Sequence, residues 1–150
     1  MIKICRTDSE NRDFRAQVVL LDQYLRQKDG EEHSFYAQYN KLDKIHQVVV
    51  AYIDDIPVGC GAIKEYTTDI AEVKRMFVHP EYRRQGIAKL ILTELEQWAN
   101  ESGFLACILE TGKKQPEAIT LYQNMDYKII SNYGQYSGVE NSVCMKKHLS

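Results

Sequence analysis

Three prolines, eight glycines and four well-separated cysteines are all that this chain of 150 residues has of the residue types that mark fibrous, disordered or disulfide-stapled proteins. With so little of them and no repeating unit, the chain is neither collagen-like nor of low complexity. Cys5, Cys60, Cys107 and Cys144 lie mostly in apolar alternating runs, without the close pairing of a zinc or redox motif, and read as buried, reduced thiols. His33, His46, His79 and His148 show no ligand spacing either, so no metal is expected. An apolar run of about 18 residues is missing. The chain begins MIKICRTDSE, without a charged-then-apolar leader, so neither a membrane span nor secretion is expected, and the cytoplasm is the expected location. A charge excess is missing too. The formal net charge is −2, which gives phosphate backbones and anionic lipids no general attraction, disfavours a nucleic-acid partner, and leaves any anion to be bound locally.

What is present is an ordinary globular composition, 44% hydrophobic and 27% charged. The chain is long enough to bury roughly 68–70% of its extended surface in one core, so a single domain over residues 1–150 is expected. Residues 2–6 alternate as a short strand, and Phe14, Val18, Leu21 and Leu25 recur at helical spacing between Ser9 and Lys28, stopped by Asp29 and Gly30. A short tyrosine-rich helix is predicted over residues 33–40. The runs QVVVAYI (47–53) and VGCGAIKEY (58–66), joined by Asp54, Asp55, Ile56 and Pro57, predict an antiparallel hairpin, and AEVKRMFV (71–78) predicts a strand ended by His79 and Pro80. Ile87, Leu90, Ile91, Leu95 and Trp98 form one helical stripe through about Asn100. FLACILE (104–110) is apolar on both faces, as a strand inside a covered sheet should be. Pro116 and Glu117 suit a first helical turn, with Ala118, Ile119, Leu121, Tyr122 and Met125 as its packed face, and YKII (127–130) and SVCMKKHL (142–149) close the chain as strands.

Between strand 71–78 and the helix that follows stands RRQGIA, residues 83–88. A helix start leaves its first N–H groups unpaired and carries about half a positive charge, which makes it a ready anion site. Gly86 lets the backbone approach a ligand without a Cβ, Ala88 keeps the next approach small, and Arg83 and Arg84 are donors suited to phosphate. The pattern fits a diphosphate cradle, with a basic helix start and an incidental glycine as the plainer reading. It is not a Walker A loop, which would need glycine at Cys107 and Ser or Thr at Lys114, nor a dinucleotide fingerprint of three spaced glycines.

The order of strand, Arg83-x-x-Gly86-x-Ala88, amphipathic helix, apolar strand, then Ala118-Ile119-x-Leu121-Tyr122 resembles the GNAT superfamily of N-acetyltransferases across essentially the whole chain. That resemblance implies an α/β (α+β) fold. Its mixed, mostly antiparallel twisted sheet would have about six to seven strands, with helices on both faces, and the strands 71–78 and 104–110 would splay apart at its centre. It implies acetyl-CoA as cosubstrate, with the diphosphate on residues 83–88 (Arg83, Arg84, Gln85, Gly86, Ile87, Ala88). The pantetheine arm and thioester would lie along Met76, Phe77 and Val78, with a further contact at Gln115, where many relatives have Asn. Tyr122 would face the departing sulfur. Asp126 stands before Tyr127 where relatives have Gly, a change in a turn.

The residues can be weighed against that chemistry. An alkyl ammonium is only about 0.04% neutral at pH 7, so an amine attacking a thioester needs a proton acceptor. Glu72 lies in the strand that would carry the thioester, on one face with Lys74, Met76 and Val78 by the two-residue period, and eleven residues before Arg83, where histone-modifying members of the family carry their base. Ion pairing with Lys74 and Arg75 would be its structural use. Glu110, at the end of the other splayed strand, is the second carboxylate. A backbone N–H from residues 76–78 would stabilise charge on the carbonyl oxygen, and Tyr122 is a suitable acid for the thiolate unless its ring only packs on the sheet. Cys107, in an all-apolar strand, reads as core rather than nucleophile. Tyr24, Tyr36, Tyr39, Tyr133 and Tyr136 border the acceptor mouth in such a fold, where they would line an amine pocket or cover the sheet edge. The chain therefore reads as an enzyme acetylating a primary amine of a small molecule, amino acid or peptide, the alternative being a module that binds or senses acetyl-CoA without turnover. A homodimer is left open.

Overall fold

The alternating runs pair into one seven-stranded sheet in the computed structural model, which describes residues 1–30 and 45–150. The helix expected over residues 33–40, with His33, Tyr36 and Tyr39, lies outside the described residues. The strands are β1 (Ile2–Thr7), β2 (Gln47–Ile53), β3 (Ile56–Thr67), β4 (Ile70–Val78), β5 (Ala106–Gly112), β6 (Lys128–Ile130) and β7 (Ser142–His148), in the order β1-β2-β3-β4-β5-β7-β6. Every neighbouring pair is antiparallel except β4 and β5. Three α-helices complete the described chain: α1 (Arg12–Asp29), α2 (Ile87–Glu101) and α3 (Pro116–Asn124).

Local chemistry sets the boundaries. Asn11 caps α1, its side-chain oxygen accepting from the Phe14 N–H at 2.8 Å, and Gly30 ends the helix at φ +56°. The β2–β3 turn is tighter than the sequence suggests. Asp54 and Asp55 alone make it, both at positive φ, the backbone that matches strand twist in a two-residue hairpin, so Ile56 and Pro57 belong to β3. Asp126 takes φ +73° where a glycine would be unstrained.

The sheet carries helices on both faces. Phe14, Val18 and Leu21 of α1 pack on Val48, Val50, Cys60, Ala62 and Phe77. On the other face Ile87, Ile91, Leu92, Leu95 and Ala99 of α2, with Tyr122 of α3, pack on Val49, Ala51, Val73 and Leu109. The expected stripe on α2 is turned around the helix: Leu90 is 43% exposed, and Leu92 and Ala99, seven residues apart on the far side of Ile91 and Leu95, take the buried positions.

One irregularity matters more than the rest. Cys60 opposes Phe77 and Ala62 opposes Lys74, so one residue of β3 faces two of β4, and Arg75 takes φ +58° in the bulge. A bulge inserts one residue and reverses the alternation beyond it. Glu72 and Lys74 lie on the α1 face, but Met76 and Val78 pack on the α2 face. The shared face expected for Glu72, Lys74, Met76 and Val78 is therefore corrected at Arg75. Beside the bulge, where it pairs with Val78, β3 needs glycine: a Cβ on Gly59 would sit 2.8 Å from the Phe77 carbonyl oxygen and 3.1 Å from Ile91 Cδ1. Gly59→Ala is accordingly expected to lower stability by about 1–3 kcal/mol, measured by urea denaturation, because the obstructing atom is backbone.

Candidate active site

β4 and β5 pair only through Ile70–Ala106, Ala71–Cys107 and Glu72–Ile108. Past Glu72 the strands part, β4 following β3 and β5 following β7. The gap holds a cleft of about 110 Å³ lined from both faces of the sheet: Leu21, Leu25, Lys74 and Arg75 border it on the α1 side, and Val73, Met76, Ala118 and Tyr122 on the other. Thr111 and Gln115 complete its wall beside β5.

At one end of β4 the chain makes a 3-10 turn, Pro80–Tyr82, and passes through residues 83–86 into α2. Arg84 and Gly86 both take left-handed backbone, φ +67° and +79°, and none of the described residues comes within 4 Å of where a Cβ on Gly86 would stand. Because no side chain among the described residues caps α2, the first-turn N–H groups of Ile87, Ala88 and Lys89 are left for a ligand. The geometry is an anion concavity and fits a diphosphate. Both arginines are exposed, but Arg83 is tied to the fold, its Nε donating to the Val78 carbonyl at 2.9 Å and its guanidinium 5.0 and 5.9 Å from the ring centres of Tyr24 and Phe77. Arg83 thus braces the loop as well as charging it, a contact invisible in the sequence because Tyr24 is so distant in the chain.

The carboxylates lie on the α1 face. Glu72, 5% exposed, accepts a 2.7 Å hydrogen bond from the Tyr133 phenol onto Oε2. Tyr133 in turn packs edge-on against Tyr66 and Tyr136 at 5.2 and 5.7 Å. Burial first, then the Glu72 charge, push the Tyr133 phenol far above its usual range, so it stays a donor. Tyr136 is buried beside it, its phenol raised by burial and by Glu110 and Glu72. Glu110 lies on the same face of β5, opposite Cys144.

On the other face, Tyr122 is 6% exposed and edge-on to Tyr127 at 5.8 Å. Its phenol is raised above the usual 10 by burial and then by the Glu110 charge, so it holds its proton at neutral pH. Cys107 is core, its thiol pushed up to about 12 by burial.

The structure therefore brings Glu72, Glu110 and Tyr136 together on one side, and Met76, Gln115 and Tyr122 around the cleft. Phe77 points away from it into the α1 core. Tyr24 also packs on the α1 face, but with groups other than the carboxylates Glu72 and Glu110. It bridges α1 to α3, its phenol donating to Glu117 at 3.1 Å beneath Arg83. Tyr133 was expected at the acceptor mouth, but its bond to Glu72, across 61 residues of sequence, was not legible there, and neither was the place of Tyr66 beside it or of Lys74 in the cleft.

Comparison with known proteins agrees with this geometry. Residues 10–127 match the Acetyltransferase (GNAT) family. The chain is 34% identical over 131 residues, 86% of each chain, to an IAA acetyltransferase of Azospirillum brasilense. Its fold matches a protein of Klebsiella pneumoniae assigned to the acyl-CoA N-acyltransferases (26% identity, 100% and 99% of the two chains, TM-score 0.83). A GNAT family acetyltransferase of Elizabethkingia anophelis with acetyl-CoA bound shares the fold at 17% identity over 99% and 98% of the chains, TM-score 0.73.

Gly86→Val tests the concavity. The side chain meets open space, so the variant should fold, at a cost of roughly 1–2 kcal/mol for left-handed backbone. CoA affinity by calorimetry should fall at least about tenfold, ~1.4 kcal/mol. Unchanged affinity in the folded variant would reject residues 83–88 as the diphosphate site.

Proposed function

The chain belongs to the Acetyltransferase (GNAT) family and is an acetyl-CoA-dependent acetyltransferase; from that premise we propose that it acetylates a primary amine of a small molecule, amino acid or peptide by direct attack. The observation that carries this reading is the placement of a buried carboxylate, Glu72, and a buried phenol, Tyr122, on opposite faces of the sheet, with the β4–β5 opening as the passage between them. When bound, acetyl-CoA supplies an activated carbonyl and a thiol leaving group.

The chain's own groups divide the remaining work. Gly86 and the N–H groups of Ile87, Ala88 and Lys89 bind the diphosphate, with Arg84 adding charge at the rim. Val73, Met76 and Ala118 exclude water from the arm, and Gln115 offers it an amide. Because β4 has no partner strand on its β5 side beyond Glu72, alternate backbone N–H groups of residues 73–78 face the cleft, donors for an oxygen on which charge builds. Tyr133 holds Glu72 through Oε2, which leaves Oε1 to take the proton of the incoming ammonium. Tyr122, protonated well beyond neutral pH, gives its proton to the departing thiolate.

Two substitutions separate the roles. Tyr122→Phe keeps the ring and should leave acetyl-CoA affinity nearly unchanged while lowering kcat by roughly 10²-fold or more. In the wild type, the raised phenol pKa means that kcat should not fall through loss of the Tyr122 proton up to about pH 10. Glu72→Gln should lower thiol release with an amine by about 10²–10⁴-fold with the cofactor still bound. A folded Tyr122→Phe protein that turns over at the wild-type rate at every pH would reject the acid.

A further inference from the structure

The cleft already contains an amine. Lys74 stands on β4 immediately before the Arg75 bulge, on the α1 face, and lines the same opening as Met76, Thr111 and Tyr122. Its ammonium interacts with Glu72, two residues earlier on the same face, and with Glu110 across the cleft on β5; Lys64 on β3 and Arg75 oppose it. An incoming substrate amine would need that same setting of carboxylates beside the thioester strand.

We propose that Lys74 Nζ is an internal acetyl acceptor: when no external amine occupies the α1 side of the cleft, the enzyme acetylates Lys74 from its own bound acetyl-CoA. The inference rests on the reading of the cleft as the acetyl-transfer site. Burial lowers the Lys74 pKa in spite of both carboxylates, so a larger share of it is the neutral nucleophile than of a surface lysine. The ammonium first loses one proton to solvent by way of Glu72. Nζ then forms a bond to the carbonyl carbon, the carbon–sulfur bond breaks, one proton of the attacking nitrogen leaves through Glu72, and Tyr122 protonates the thiolate and is reprotonated in turn. One acetyl-CoA gives one acetyl-lysine, one CoA thiol and one proton. An amide does not pass its acetyl group on to amines, so the product is an end state. It removes a positive charge from beside Glu72 and Glu110 and fills the acceptor side, a brake that acts when acetyl-CoA is plentiful and acceptor scarce.

The test incubates the intact protein with acetyl-CoA and no acceptor, then maps acetyl groups by mass spectrometry of its peptides. The expected result is one acetyl group on Lys74 in preference to the exposed Lys89, Lys113 and Lys128, at a rate per molecule independent of protein concentration. Lys74→Arg should remove that signal, and Gly86→Val should slow it at least about tenfold when acetyl-CoA is subsaturating. Lys74 left unmodified in protein that binds acetyl-CoA by calorimetry overturns the inference, as does acetylation spread evenly over the exposed lysines. Thiol release with a panel of amines tells the two readings apart. Turnover on an amine with Lys74 unmodified overturns the internal acceptor alone, whereas acetyl-Lys74 without turnover on any amine supports it and overturns transfer to external amines.

Discussion

Three residue pairs hold β4 to β5, and beyond Glu72 and Ile108 each strand is secured only from its outer side, β4 by β3 and β5 by its seven-residue ladder with β7. A sheet interrupted at its centre leaves backbone N–H and C=O groups without ladder partners, a cost that folding alone would remove by closing the gap. The gap persists because packing fixes its walls from above and below. α1 anchors the bulge from one face, where Asp22 pairs with the buried Arg75, and α2 presses Ile91 and Leu95 onto Gly59 and Gly61 from the other. The bulge is thus the device that aims Met76 to one face and Lys74 to the other.

The same split organises charge. The net charge of −2 hides a division along the cleft, with the arginine-bearing turn at the start of α2 and the carboxylates Glu72 and Glu110 on the α1 face. Buried ionised groups survive only when paired or hydrogen-bonded, and here Tyr133 bonds Glu72 while Asp22 pairs Arg75. Among the described residues the buried Arg75 Nε has no hydrogen-bond partner, which a finished core rarely tolerates.

Much of this was legible in the sequence because it is local. Strand and helix identities follow from periodicity, the α2 start from residues 83–88, and the strand that ends at His79 from the proline behind it. The resemblance carried by Arg83, Gly86, Ala88 and Tyr122 named the two segments that we propose contact the cofactor. What periodicity missed was each place where one residue more or less changes a face: the Arg75 bulge, the two-residue turn at Asp54 and Asp55, and the turning of the α2 stripe away from Leu90.

The sequence by itself determined the elements, their order and the glycine-bearing turn into α2, since each is specified by residues within a few positions of one another. Only the tertiary structure decided which groups meet at the cleft. Tyr133 reaches Glu72 because the segment between β6 and β7 folds over the α1 face, Tyr24 braces Arg83 because α1 lies across the sheet, and Lys74 enters the opening because β5 turns away. Such contacts depend on how strands are ordered and where a sheet parts, and that is settled by the packing of the whole core against chain entropy, which no short stretch of residues encodes.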